Sequence, residues 1–202
     1  MLLGSKLRDN EELAAIQSTI SSNNNGVFLD IGANTGYYAI VVASMGTGRV
    51  VAFEPNPPVF NRLLNNIQFN ELSERIKALP IALSDSSGQV DFHVTEGEMG
   101  GSSIINVGAT TKVIKVATCP LAKIIEQENI TSINAMKIDV EGFEDKVLLP
   151  FFHVSPRTLW PRLIVIEHTS QSLWHENVLE WMLENGYIEI KRNRSNAILQ
   201  LP

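Results

Sequence analysis

The stretch VFLDIGANTGYYAI, Val27 to Ile40, decides the reading of this chain. An apolar run of strand length, a glycine-bearing bend and then apolar residues at helical spacing make a strand–turn–helix unit. A dinucleotide fingerprint in such a bend asks for glycine at its first, third and sixth positions, so that the backbone can approach a pyrophosphate. Those positions hold Gly32, Asn34 and Tyr37, so one of the three fits. Asp30, two residues before Gly32, adds negative charge where a phosphate would lie. An acid at a strand end attracts an ammonium or a sulfonium instead. The bend therefore suits a ligand with a cationic group and no phosphate, as S-adenosylmethionine is.

Outward from that unit, short runs rich in Val and Ile alternate with segments of helical period, the pattern of an α/β fold built on a parallel sheet. Strands are expected at Val27–Ile31, Arg49–Glu54, Ile76–Leu83, Ala135–Asp139 and Leu163–His168, with helices notably at Pro57–Phe69 and Ser172–Glu184. The tail GYIEIKRNRSNAILQLP gives two alternating runs around NRSN and predicts a closing β-hairpin with one antiparallel strand. Residues from about 86 to 118 break the pattern into a small β insertion. Within it the glycines and serines of Glu96–Ser103 predict a mobile loop over the site. No linker or repeat interrupts the chain, so residues 1–202 read as one domain, with a short helix before the first strand at about 27.

Composition narrows the function. A formal net charge of −6 with no basic stripe argues against a nucleic-acid partner. Cys119 is the only cysteine, which excludes an internal disulfide or a cysteine metal cluster and fits an intracellular setting. No apolar run reaches the ~20 residues that span a bilayer, and the start lacks a signal core. A cytoplasmic protein without membrane contact is the expectation.

Three acids end the first three strands. Glu54 follows Asp30 at close to the ~20-residue offset at which an acid meets a ribose diol in doubly wound folds, and a carboxylate can accept from two vicinal hydroxyls. Asp85, in ALSD, is placed to accept from an adenine amino group. With the bend residues Gly32, Asn34, Gly36 and Tyr37, these three acids form the expected cofactor-binding set. Asn66 and Asn70 read as helix-end residues without chemistry.

The segments DIGANTGYY, AFEPNP, NNIQFN, ALSD, GGSS, KIDVEGFE and IVIEH, in this order, resemble the FkbM family of S-adenosylmethionine-dependent O-methyltransferases. The resemblance implies a Rossmann-like class I methyltransferase fold, with a seven-stranded, mostly parallel sheet, helices on both faces and the antiparallel strand in the last hairpin. It also implies methyl transfer to a hydroxyl of a small molecule such as a sugar or polyketide.

The candidate catalytic residues are Asp139 and Glu141, at the mouth of the crevice expected beyond the carboxyl ends of the strands, and His168 at the end of the neighbouring strand. A histidine of ordinary pKa can take a proton at neutral pH, oriented by a nearby carboxylate. Glu144, at the start of the next helix, is explained by the helix dipole. Asp139 and Glu141 are too few to require a metal, since hard cations take several oxygen ligands. Two other classes compete: a binding module for the cofactor or a nucleotide metabolite without turnover, and an NAD-linked oxidoreductase, which Asn34 and Tyr37 disfavour.

Overall fold

In the first strand Val27, Leu29 and Ile31 face one side while Phe28 and Asp30 face the other, and both sides are buried. A strand apolar on both faces needs cover above and below, and helices supply it. A computed structural model describes residues 10–21, 26–46, 48–95 and 111–202. The expected loop over 96–103 lies outside these described residues.

In chain order the elements are α1 (Asn10–Ser21), β1 (Val27–Ile31), α2 (Tyr37–Ser44), β2 (Arg49–Phe53), α3 (Pro57–Phe69), β3 (Ile76–Leu79) and β4 (Ala82–Leu83). There follow β5 (Gly88–Thr95), β6 (Thr111–Cys119), α4 (Leu121–Gln127), β7 (Ala135–Ile138), α5 (Glu144–Val154), β8 (Leu163–Glu167), α6 (Val178–Glu184), β9 (Ile188–Arg192) and β10 (Asn196–Gln200). Seven strands form one sheet in the order β3-β2-β1-β7-β8-β10-β9. β10 runs antiparallel to β8 and β9, and the other neighbours are parallel. α4, α5 and α6 pack on one face, and α1, α2 and α3 on the other.

Two expected elements differ. The strand foreseen at Ile76–Leu83 breaks at Pro80, which cannot donate to a ladder. β3 stays in the main sheet while β4 pairs with β6 in a three-stranded sheet, β4-β6-β5. The helix foreseen from Ser172 begins at Val178, because the Asn177 side chain caps it by accepting from Glu180 N. Residues before it form a 3-10 turn, Gln171–Leu173. The hairpin is held by Asn193, whose side chain accepts from the amides of Ser195 and Asn196.

Chain order reverses between β1 and β7, the first connection from β1 running out to β2 and β3 and the return crossing to β7. The crevice beyond the carboxyl ends of the strands at such a reversal is where open α/β sheets take ligands.

Candidate functional site

A cavity of about 260 Å³ opens at that reversal. Its floor is Gly32 and Asn34 after β1, Glu54 to Asn56 after β2, and Asp139 to Glu141 after β7. Phe53, Val59, Ile81, Leu83 and Phe92 give it an apolar wall.

The bend after β1 is built from left-handed residues: Gly32 at φ 79°, Asn34 at φ 51° and Gly36 at φ 94°. Gly32 is fixed by proximity as well, since a Cβ there would lie 1.9 Å from the Asp139 carbonyl oxygen. The loop turns its amides onto β2: Gly32 and Ala33 donate to the Phe53 carbonyl at 3.1 and 2.8 Å, and Asn34 donates to Glu54 Oε2 at 3.0 Å. Asn56 N donates to Glu54 Oε1 at 2.8 Å. A loop that would hold a pyrophosphate in a dinucleotide site here holds a carboxylate of its own chain. Burial pushes the Glu54 carboxyl up to about 7, against the opposing pull of these two amides.

Asp30 does not line the cavity. It lies on the α2 face of β1, where its Oδ2 accepts from Ala39 N at 2.9 Å and so satisfies an orphan donor of the first turn of α2. Burial raises its carboxyl to about 7, and Lys137, its register partner on β7, opposes the rise. Gly36 caps the start of α2, where a Cβ would meet Leu63 Cδ1 at 2.5 Å. Tyr37 is partly exposed, edge-on to Tyr38. Asp85 lies in the bend after β4, accepting from the hydroxyls of Ser84 and Ser86. Neither Gly36 nor the side chains of Tyr37 and Asp85 are part of the cavity wall. His168 is also turned away, its Nε2 lying 3.2 Å from the Asn193 carbonyl in the last hairpin. Gly32, Asn34, Glu54, Asp139 and Glu141 are thus brought together, while Asp30, Gly36, Tyr37, Asp85 and His168 stand outside the cavity.

Three groups with no expected role surround the acid end. Lys137, 3% exposed on the central strand, places Nζ 3.1 Å from Asp139 Oδ2 and 5.7 Å from the centroid of the Tyr38 ring. A lysine inside the run AMKI was the signal, because a buried cation needs a partner. Glu144 is fully buried and accepts from Val140 N, Gly142 N and Trp174 Nε1 at 2.9, 3.1 and 2.7 Å. Glu167 is buried at the end of β8, where Oε1 accepts from the amide and hydroxyl of Thr169 and Oε2 has no partner among the described residues.

Glu141 sits in the middle of these groups at φ 55°. Burial, followed by the charges of Asp139, Glu167 and Glu144, raises its carboxyl to about 7, while Lys137 opposes the rise. Among the described residues, no group of three or more His, Cys, Asp or Glu is placed to hold a metal ion. The donor set instead fits a ligand with an apolar ring, hydroxyls and a positive charge: the apolar wall for the ring, the fixed Glu54 carboxylate for a diol, and the acid end for the cation.

The strand order, with its reversal at the cavity and its antiparallel β10, defines a Rossmann-like class I methyltransferase fold. The solved precorrin-6y C5,15-methyltransferase of Geobacter metallireducens GS-15 superposes with a TM-score of 0.56 at 14% identity, covering 98% of this chain and 91% of that one. TrmK of M. capricolum, solved with S-adenosyl-homocysteine, superposes with a TM-score of 0.52 at 14% identity, covering 94% and 66%.

The chain belongs to the FkbM methyltransferase domain family, whose model matches residues 30–189. It is 30% identical to the hexuronic acid methyltransferase AglP of Haloferax volcanii over 122 residues, which is 60% of this chain and 48% of AglP. It is 27% identical to methyltransferase sdnD of Sordaria araneosa, covering 61% of this chain and 60% of sdnD. The matches thus span about half to three fifths of these two curated relatives.

Proposed function

We propose that this chain is an S-adenosylmethionine-dependent O-methyltransferase acting on a hydroxyl of a small molecule, such as a sugar or a related metabolite. The observation that carries the reading is Glu54: a buried carboxylate, fixed by two amides, beside an apolar wall and across a cavity from Asp139 and Glu141. Glu54 would hold the ribose diol, and Phe53, Val59, Ile81 and Phe92 would hold the adenine ring. The name of AglP supports a sugar as the acceptor.

When bound, the cofactor supplies a methyl carbon made electrophilic by its sulfonium. The chain's own residues align the acceptor hydroxyl and take up its proton. Asp139, held by Lys137, positions that hydroxyl. Glu141, with a carboxyl near 7, is matched to accepting a proton close to neutral pH. His168, bonded into the hairpin, takes no part in this scheme.

The test is the pH profile of methyl transfer to a panel of glycosides and polyketide alcohols, for wild type, Asp139→Asn, Glu141→Gln and His168→Ala. The wild-type rate rises with pH through about 7. Glu141→Gln flattens that rise and lowers the rate about a hundredfold to ten-thousandfold, Asp139→Asn lowers it, and His168→Ala stays near wild type. Normal rates in both carboxylate variants would overturn the roles given to these acids. Cofactor binding with no transfer to any hydroxyl would leave a binding module.

A further inference from the structure

The turn that carries Glu141 is backbone in an unfavourable conformation held from outside. Glu141 (φ 55°) and Gly142 (φ 94°) are consecutive left-handed residues between β7 and α5. A non-glycine residue in that region is uncommon and, unless its surroundings over-determine it, relaxes to the ordinary region. The surroundings here come from two places. Glu144, at the first position of α5, reaches back to the amides of Val140 and Gly142, one on each side of Glu141. Trp174, 30 residues further along the chain, donates its indole N–H to the same carboxylate at 2.7 Å. The neighbouring acid repeats the link, since Asp145 Oδ2 accepts from His175 N at 2.8 Å. Leu173 and Ser170 then close over Gly142, where a Cβ would meet Leu173 Cδ1 at 2.8 Å. The segment after β8 is thereby bonded to the turn after β7, and Glu144 is the joint.

Resting on the O-methyltransferase reading of the cavity, we infer that Glu144 and Trp174 are positioning residues: together they lock the 140–142 turn so that Glu141 is held at the acceptor end of the cavity. The helix dipole accounts for an acid at the start of α5, but an acid serving only the dipole needs neither full burial nor three donors. A carboxylate that bonds the amides on both sides of one residue fixes that residue's backbone. The indole N–H fixes the carboxylate in turn. Glutamine at 144 turns an N–H₂ toward at least one of the three N–H donors, so it breaks the lock while keeping the shape.

The experiment compares Trp174→Phe and Glu144→Gln with Trp160→Phe. Trp160 packs against the same apolar cluster and also loses an indole hydrogen bond, to the Ser155 carbonyl, but its ring neighbours are Phe152, Trp181 and Tyr187. Three readouts are taken on the full chain: carbon NMR titration of Glu141, amide exchange of Val140 and Gly142, and methyl-transfer kinetics beside calorimetry with S-adenosylhomocysteine. In Trp174→Phe and Glu144→Gln the Glu141 midpoint falls from about 7 toward the ordinary glutamate range, and both amides exchange faster. The acceptor kcat/KM drops about tenfold to a hundredfold, while affinity for S-adenosylhomocysteine holds. Trp160→Phe loses melting temperature and moves none of the three.

An unmoved Glu141 midpoint with unmoved exchange, or the same changes in Trp160→Phe, overturns the inference. A faster-exchanging turn with unchanged acceptor kinetics also overturns it. Wild type without turnover refutes the function proposed above, and the titration and exchange then decide on the lock by themselves. Should Glu144→Gln fail to fold, Trp174→Phe carries the test.

Discussion

Glu54 makes two hydrogen bonds to its own chain and keeps lone pairs on both oxygens for a ligand. Replacing it by alanine removes charge-assisted bonds that contribute about 1.5 to 3 kcal/mol. Affinity for S-adenosylhomocysteine, measured by calorimetry, should therefore fall about tenfold to a hundredfold. Unchanged affinity in a folded variant would remove the diol assignment.

The same carboxyl belongs to a set, Asp30, Glu54, Glu141 and Glu144, whose values near 7 stand well above those of unfolded acids. Between about pH 5 and 7 the folded state binds more protons than the unfolded one, so stability falls as pH rises through that window. The ligand-free protein should melt at a higher temperature at pH 6 than at pH 8, and Glu54→Gln should narrow the gap. A melting temperature that climbs from pH 6 to pH 8 would contradict this.

The five expected residues that do line the cavity were legible because strand ends and their turns make the carboxyl edge. Asp30 and His168 fall outside the cavity because position near a strand end does not say which way a side chain turns. Asp30 shares the α2 face with Phe28, whereas the cavity is met by Ile31 and Gly32.

At the scale of elements, β1 and β7 are joined at their tips by an absence. The missing Cβ of Gly32 lets the Asp139 carbonyl close in. Gly32→Ala must part the two strand ends as well as strain a φ of 79°, whereas Gly46→Ala meets similar strain at φ 89° with its first contact among the described residues beyond its chain neighbours at Arg75 Nη1, 3.8 Å away. Thermal melts should show Gly32→Ala as the more damaging by about 1 to 3 kcal/mol, the usual cost of overpacking. Equal losses would mean that backbone strain alone sets the need for glycine.

Element limits were readable where local chemistry decides them. α3 starts at Pro57 and Pro58, which are pre-set for a first turn, and it keeps Val59, Leu63 and Ile67 on one buried face. The start of α6 is marked locally, by the Asn177 cap with Glu180 three residues on. What no local pattern reports is that Trp174 and His175, just before it, are bonded to Glu144 and Asp145, 30 residues away, and the part Glu144 plays is hidden for that reason.

For the whole molecule, charge bears on the choice of acceptor. The chain carries −6 overall, and the acceptor end gathers Asp139, Glu141, Glu144 and Glu167 around Lys137, which is already engaged with Asp139. A sugar bearing its own carboxylate meets repulsion there. With neutral and uronate forms of one glycoside, kcat/KM should favour the neutral form by about tenfold, and added salt should shrink the difference. A preference for the uronate, the acceptor class in the name of AglP, would contradict this reading of the field.

The hairpin has a consequence for the order in which the sheet is completed. β9 is synthesised before β10 yet lies outside it, so β10 must slide between β8 and its own predecessor. Until residue 200 has left the ribosome, β8 presents an unpaired edge of five apolar-rich residues, the kind of edge on which nascent chains associate. Glu12, 1% exposed in α1, takes its partners Asn193 and Asn196 from this late segment. A carboxylate of α1 therefore waits for side-chain amides that follow it by 181 and 184 residues. A stalled chain ending at residue 192 and carried clear of the ribosome by a flexible linker should still be gripped by chaperones, and the same chain extended through β10 should be freed.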